Sequence, residues 1–396
     1  MIDSEALVIG GGPVGQVAAL CLLQRGVSVK VLDAGGERAV RGYACGLHPE
    51  TLRILDELEL MPAVLEAAHR IDRLCVRMGS AGPVNAELGA LDGRYPYSLA
   101  LRQFDLEEIL RQALERGGVD VRRHHAVAQL YRRHGSVKVT GNIRHRPGDA
   151  GKTREPANLA PFELESNYVI GADGYFSVCR RSLGIEVIRV RPTRAFAVCE
   201  FNADLRGWER EACLSFSHDA VAAFWPLGPE LGRFTIQVFQ SLDEMVSLER
   251  LRELVRERAP WFDPVPEQLC WGAIAPFEHG LAQRFGDGRI WLAGDAAHST
   301  SPIGFQSMNR GFSEARALAD CVATELFGTR RGHHPFTSFE QQQQAEWVRL
   351  FGLWPRDAPS QGHVSELAPC VPASGEDFEV LLEQLGSVVQ LSQPIS

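Results

Sequence analysis

The spacing of apolar positions changes along the chain, and those changes predict its elements. Ala6–Ile9 is a short unbroken apolar run, the pattern of a buried parallel strand. A helical repeat runs from about Val14 to Arg25 and stops at Gly26, and Val27–Leu32 reads as a second strand. A helix is predicted after His48-Pro49, over about Glu50–Leu58. Residues 71–100 read as strands, and a helix then starts at Gln103 and ends near Gly117-Gly118. A strand pair is expected around Val127 to Thr140. Residues 142–161 are polar and rich in Arg, Pro and Gly, which predicts a flexible loop or hairpin tip. Alternation over Ala195–Phe201 and Arg233–Phe239 predicts antiparallel strands, followed by a helix over Leu248–Arg258. Arg289–Ala293 reads as a strand, and a helix follows over about Asn309–Leu326. The tail is Pro-rich from Trp354 to Pro372 and weakly helical over Asp377–Leu385. No internal repeat is visible.

The first strand runs directly into Gly10-Gly11-Gly12-Pro13-Val14-Gly15. Strand, glycine turn, helix, strand and a terminal acid at Asp33 form the order of a dinucleotide-binding fingerprint. Gly10 permits the tight turn, Gly12 lets the backbone approach a pyrophosphate, and Gly15 lets helix and strand pack closely. The helix N-terminus offers free N–H groups and the positive end of its dipole to phosphates. Asp33, about 20 residues on, can accept hydrogen bonds from ribose hydroxyls. This fingerprint alone does not separate NAD from FAD.

Two later segments do so by resemblance. Gly171-Ala172-Asp173-Gly174, with Ser177 and Arg180, resembles the Asp-Gly motif of flavoprotein aromatic hydroxylases. Gly294-Asp295, with His298, Pro302, Gly304, Ser307, Met308 and Asn309, resembles their second FAD motif. The chain is thereby similar to single-component (class A) FAD-dependent monooxygenases of the p-hydroxybenzoate hydroxylase type, over roughly residues 5–350. The resemblance implies an α/β fold. A Rossmann-like FAD-binding domain over 1–70, 101–183 and 280–352 would be interrupted by a mainly antiparallel β-sheet substrate domain over 71–100 and 184–279. Residues 353–396 would form a tail with a short helix.

The same resemblance implies the chemistry. FAD is the cofactor and NADPH or NADH the reductant; O2 and a small molecule are the co-substrates. A flavin C4a-hydroperoxide would hydroxylate or epoxidise an aromatic or polyketide-like compound, in bacterial secondary metabolism. Asp295 would bond the ribityl chain, Asp173 would hold nucleotide contacts, Arg41 would face phosphate, and Gln103 or Arg102 would touch the ribityl chain. Backbone N–H groups where a helix starts near Ser307–Asn309 can face the flavin O2 region and stabilise negative charge. The family has Gly where Phe305 or Ser307 stands, so a bulky ring beside the flavin is expected. Substrate-facing candidates are Tyr95, Tyr97, Phe216, His218, Phe224, Trp225 and Phe305. His218 is the sole candidate base, and His298 reads as a packed residue of the FAD motif. Alternatives remain open: a reductase, dehydrogenase or halogenase on the same scaffold, or a non-catalytic FAD-binding protein. The halogenase is disfavoured by the absence of Trp-x-Trp-x-Ile-Pro.

Composition narrows the partners. The 396 residues are 45% hydrophobic and 23% charged, which suits a globular enzyme of two to three domains. A net charge of −9, with no basic cluster interleaved with aromatics, argues against nucleic acid. Nine cysteines without a CxxC pair or zinc spacing, and an acidic start leading straight into the first strand, predict a reducing, cytoplasmic setting and no metal site. No run of 18 apolar residues occurs, so no membrane span is expected.

Overall fold

The computed structural model describes residues 2–35, 42–79, 82–144, 160–217, 220–239, 246–328, 335–351 and 368–391. The apolar runs become a parallel sheet. Strands Ile290–Leu292, Ala160–Gly171, Ser4–Ile9, Val29–Leu32 and Asp120–Arg122 lie side by side in that order. Their buried Val, Ile and Leu side chains explain why they read as continuous apolar runs. The helix Pro13–Gln24 begins with Pro at its first turn, where a missing N–H costs nothing, and the chain turns out of it at Gly26, φ +76°. The expected strand pair is a hairpin, His125–Arg133 with Ser136–Ile143, that extends this sheet along Ala160–Gly171. Most of the predicted 142–161 loop lies outside the described residues.

A second eight-stranded sheet follows the order 298–299, 268–282, 187–202, 231–238, 221–226, 211–216, 73–78 and 84–87. Both alternating segments lie in it, as parts of Val187–Asn202 and Leu231–Val238. Residues 71–100 are divided: 73–78 and 84–87 join this sheet, while His69–Ile71 and Ser98–Ala100 pair in a small third sheet with Gly46–Leu47. The helix Leu248–Arg258 forms as read, with the Ser247 hydroxyl accepting the Arg250 N–H as its cap. It covers one sheet face through Leu251, Leu254 and Val255, packed with Phe201, Phe224, Phe234 and Phe262. The opposite face, carrying Trp225 and Phe196, belongs to the main core. The helix predicted over 309–326 spans Gln306–Phe327, and the weak tail helix spans Gly375–Leu391. No helix among the described residues is long and apolar enough to cross a membrane.

Candidate active site at the ends of three parallel strands

Strands Ser4–Ile9, Ala160–Gly171 and Ile290–Leu292 are parallel and adjacent, so their C-terminal ends emerge together. Each end runs into one of the three sequence motifs. The Ala172 N–H donates to the Ile9 carbonyl (2.7 Å) and the Ala293 N–H to the Gly171 carbonyl (3.0 Å), which ties the motifs edge to edge. They surround a cavity of about 790 Å3.

The glycines divide into two kinds. At Gly10 (φ +110°) a Cβ would stand 2.1 Å from the Ala172 carbonyl oxygen, and at Gly15 it would stand 1.9 Å from the Gly10 carbonyl oxygen. These two are required by backbone packing. At Gly12 a Cβ would meet nothing within 4 Å, because this residue lines the cavity with Pro13 and Val14 at the start of the helix. That is the cradle a pyrophosphate needs: open backbone at a helix N-terminus with no acidic residue in the first turn. Asp33 lies beside it, its carboxylate 2.5 Å from where a Gly11 Cβ would be, with Oδ1 accepting the Gly35 N–H at 2.8 Å. The donor set and the open space at the helix start therefore fit a flavin dinucleotide.

The second and third motifs contribute unequally. Asp173 accepts from the Ser177 hydroxyl (2.5 Å) and from the Val178 (2.6 Å) and Cys179 (3.1 Å) N–H groups. Its carboxylate is thus committed to starting the next short helix, and the cavity wall is built by Ala172, Gly174 and Tyr175 instead. Arg180 donates to the Ala296 and Tyr175 carbonyls, both at 2.7 Å, strapping the second motif to the third. Asp295 is accessible only because it faces the cavity. The protein around it raises its carboxyl pKa by burial, with His298 and a bond from the Ser307 hydroxyl acting the other way. Gly294 (φ +62°) lies against Val14.

Pro302, Phe305, Ser307 and Met308 line the cavity, whereas Gly304 and Asn309 do not. Gly304 packs against the Pro369 and Cys370 backbone. Asn309 is fully buried: it donates to the Gly46 and Phe305 carbonyls (both 2.9 Å) and accepts from the His48 N–H (2.9 Å) and the Thr51 hydroxyl (2.7 Å). Phe305 adopts the left-handed conformation (φ +52°, ψ +25°) just before the Gln306–Phe327 helix, the backbone that makes Gly the easier residue there. Its ring fills the space where a Gly46 Cβ would be and meets Trp225 edge-on at 5.1 Å.

Gln103 lines the cavity, while Arg102 turns to Asp105 and Glu200. Arg41 and His218 lie outside the described residues. Four substrate candidates are placed elsewhere. Tyr95 and Tyr97 pack on each other and under Arg94 and Arg70, away from the cavity wall. Phe224 points to the helix-covered face of the sheet, packed against Phe262 at 4.6 Å, because neighbouring strand residues face opposite ways. Phe216 is buried in the main core without reaching the cavity, and Trp225 alone of the sheet candidates contacts a cavity residue.

Several site residues are not among those singled out from the sequence. Tyr43 and Phe277, stacked edge-to-face at 5.3 Å, line the cavity with Glu278, which accepts from the Tyr175 hydroxyl at 2.5 Å. Buried Glu314 holds the third motif: it accepts the Gly294 N–H (2.9 Å) and the Trp347 Nε1–H (2.8 Å) and bonds His298 Nε2 at 2.8 Å. His298 also stacks on Trp347, so it is a packed residue. A carboxylate on the buried face of an amphipathic helix was the readable trace of Glu314. Thr235 and Gln237 share the flavin-side face with Arg233, whose guanidinium pairs with Glu200 and donates to the Tyr43 carbonyl at 3.1 Å. Among the described residues no His, Cys, Asp and Glu side chains are grouped to hold a metal ion.

Comparison with known proteins matches this geometry. A 12-dehydrotetracycline 5-monooxygenase/anhydrotetracycline 6-monooxygenase of Streptomyces rimosus is 29% identical over 340 residues, covering 82% of this chain and 63% of that protein. A para-nitrophenol 4-monooxygenase of a Pseudomonas species is 27% identical, covering 80% of this chain and 77% of that protein. The chain thus spans less than two thirds of the length of the first of these relatives. The structure of OxyS anhydrotetracycline hydroxylase from Streptomyces rimosus is similar, with a TM-score of 0.68 at 26% identity, covering 98% of this chain and 72% of that one. That of p-nitrophenol 4-monooxygenase PnpA from Pseudomonas putida has a TM-score of 0.76 at 21% identity, covering 100% and 99%, a likeness of fold. A family model described as an FAD binding domain matches residues 3–338. With this match and three motifs converging on one cavity, this chain belongs to the FAD-binding-domain family of flavoproteins.

Proposed function

We propose that the chain is an FAD-dependent monooxygenase that takes electrons from NADPH or NADH and inserts one oxygen atom of O2 into an aromatic, polyketide-like small molecule. The proposal divides the chain into an FAD-binding body (1–70, 101–183, 280–352) and a substrate-binding body (71–100, 184–279). The observation that carries it is the sheet face that Trp225 joins to the cavity wall through Phe305. There Trp225 Nε1, Thr235 Oγ1, Gln237 Oε1 and Arg233 Nε are buried with no hydrogen-bond partner among the described residues. A buried polar atom left unpaired costs about 1–3 kcal/mol, so four on one face suggest a ligand that satisfies them. Phe196, Val198 and Ala223 supply apolar surface on the same face, beside the buried Arg233–Glu200 ion pair. The partner chemistry that fits is a flat aromatic bearing hydroxyl or carbonyl groups.

Bound FAD would supply the redox chemistry and the activation of oxygen. The chain's own part is positioning. Gly12, Pro13 and Val14 would hold the pyrophosphate, Asp33 a ribose, and Asp295 with Gln103 the ribityl chain. The N–H groups at the start of the Gln306–Phe327 helix have no partner one turn earlier and can stabilise negative charge at the cavity wall. Trp225 and Phe305 exclude water between the sheet and the cavity. The relatives' names supply the class of candidate compounds.

The test is turnover of tetracyclic and simple phenols by the FAD-loaded protein under labelled O2, with mass spectrometry of the products. Incorporation of one labelled oxygen, dependent on NADPH or NADH, supports the reading. Reduced nicotinamide consumed with a reduced, unlabelled product would replace it with a reductase.

A further inference from the structure

Behind the Ser301–Ile303 segment of the flavin motif lies a second, much smaller cavity of about 20 Å3. It sits at a seam of three parts: the long strands 187–202 and 268–282, the flavin loop, and the segment around Cys370. Two arginines, Arg191 and Arg194, and His279 line it, and none of its described lining side chains is acidic. Arg194 has no ion-pair partner among the described residues, while Arg191 donates one N–H to the Phe351 carbonyl at 2.8 Å. His279 is 4% exposed. Its Nε2 accepts the Ser301 backbone N–H at 3.3 Å, so in the neutral ring the proton resides on Nδ1. That Nδ1–H is buried with no partner among the described residues. A donor left unpaired beside two cations is a costly arrangement unless an acceptor fills the space.

We propose that this seam is a binding site for one small monovalent anion of halide size, chloride in practice. The size decides the class: about 20 Å3 admits a water or a halide and excludes a carboxylate group. The surrounding charge decides between those two, since Arg194 is cationic, the His279 Nδ1–H can donate, and no described lining side chain offers negative charge. The site is coupled to the flavin cavity, because Ser301 lines both and is held by His279. Occupancy therefore fixes the wall against which FAD packs.

The experiment uses the full-length, FAD-loaded protein crystallised in bromide, with diffraction collected at the bromine absorption edge. The expected result is an anomalous peak between Arg194 and His279. In solution, the thermal midpoint should rise with chloride against gluconate at constant ionic strength. Arg194→Gln should raise the chloride concentration needed about tenfold, the loss of one charge-assisted hydrogen bond, and Arg194→Lys should restore most of the response. A water without anomalous signal at the seam overturns the proposal. So does an Arg194→Gln protein whose midpoint responds to chloride as the parent does, or acetate that acts as strongly as chloride. None of these readouts depends on turnover, so they stand apart from the oxygenase reading.

Discussion

Exchanging Gly12 and Gly15 separately for Ala should have opposite consequences, although both belong to one fingerprint. Gly12 has φ −71° and open space where a Cβ would go, so Ala fits the apoprotein. As the residue preceding the helix it should lose no more than about 1 kcal/mol of stability. The new methyl would occupy the backbone surface that a phosphate must approach. Losing two or three charge-assisted hydrogen bonds at about 1.5 kcal/mol each predicts roughly 3–4.5 kcal/mol of lost binding. That is a Kd for FAD higher by roughly two to three orders of magnitude. Gly15→Ala instead drives a Cβ to 1.9 Å from the Gly10 carbonyl oxygen, which only backbone movement can relieve. Overpacking of this kind costs about 1–3 kcal/mol in the apoprotein itself. Urea unfolding of both apoproteins, with FAD titration followed by flavin fluorescence, separates the two effects. A Gly12→Ala protein that binds FAD like the parent, or that unfolds as readily as Gly15→Ala, would refute the assignment of Gly12 to the cofactor and Gly15 to packing.

Phe305→Gly should relieve about 1–2 kcal/mol of left-handed backbone strain but forfeit about 3–5 kcal/mol of ring packing on Trp225 and Gly46. A net loss of about 1–4 kcal/mol in denaturant unfolding is expected, and a stabilised variant would show that the ring is not packed as described. Glu314→Gln leaves one acceptor oxygen for the Gly294 N–H, the Trp347 Nε1–H and His298, so one buried donor loses its partner. Urea midpoints should report about 1–3 kcal/mol of destabilisation; an unchanged midpoint counts against the network. Burial pushes His48 and His279 down to about 4 from an ordinary 6.5, aided at His279 by Arg191 and Arg194 and opposed at His48 by its bond to the Gly304 carbonyl. Folded pKa values below the unfolded ones give stability that is complete above pH 6.5 and lost as pH falls towards 4. Unfolding free energies measured across that window should drop by up to about 3 kcal/mol per histidine, and a His48→Gln variant should flatten part of the slope.

The sequence by itself determined the local units. The glycine turn, the helix behind it and the acid after the second strand follow from period, punctuation and the conformational needs of glycine, all of which act over a few residues. The Leu248–Arg258 helix and the alternating strands were legible for the same reason. The left-handed backbone at Phe305 matches the position where the resemblance led one to expect Gly. Tertiary structure alone decided how these units meet. Three motifs nearly 300 residues apart share one cavity because their strands are adjacent and parallel, a fact of strand order that no local pattern encodes. Trp225 and Phe224 are neighbours with equal claims in sequence, yet only the packing of a helix on one sheet face sends Phe224 away from the flavin side. Asp173 and Asn309 look like ligands in the motifs, but their polar atoms are consumed inside the protein, holding the backbone that does the binding. Hydrogen-bond partners far apart in the chain settle such roles, and those distances are fixed only when the sheets pack together.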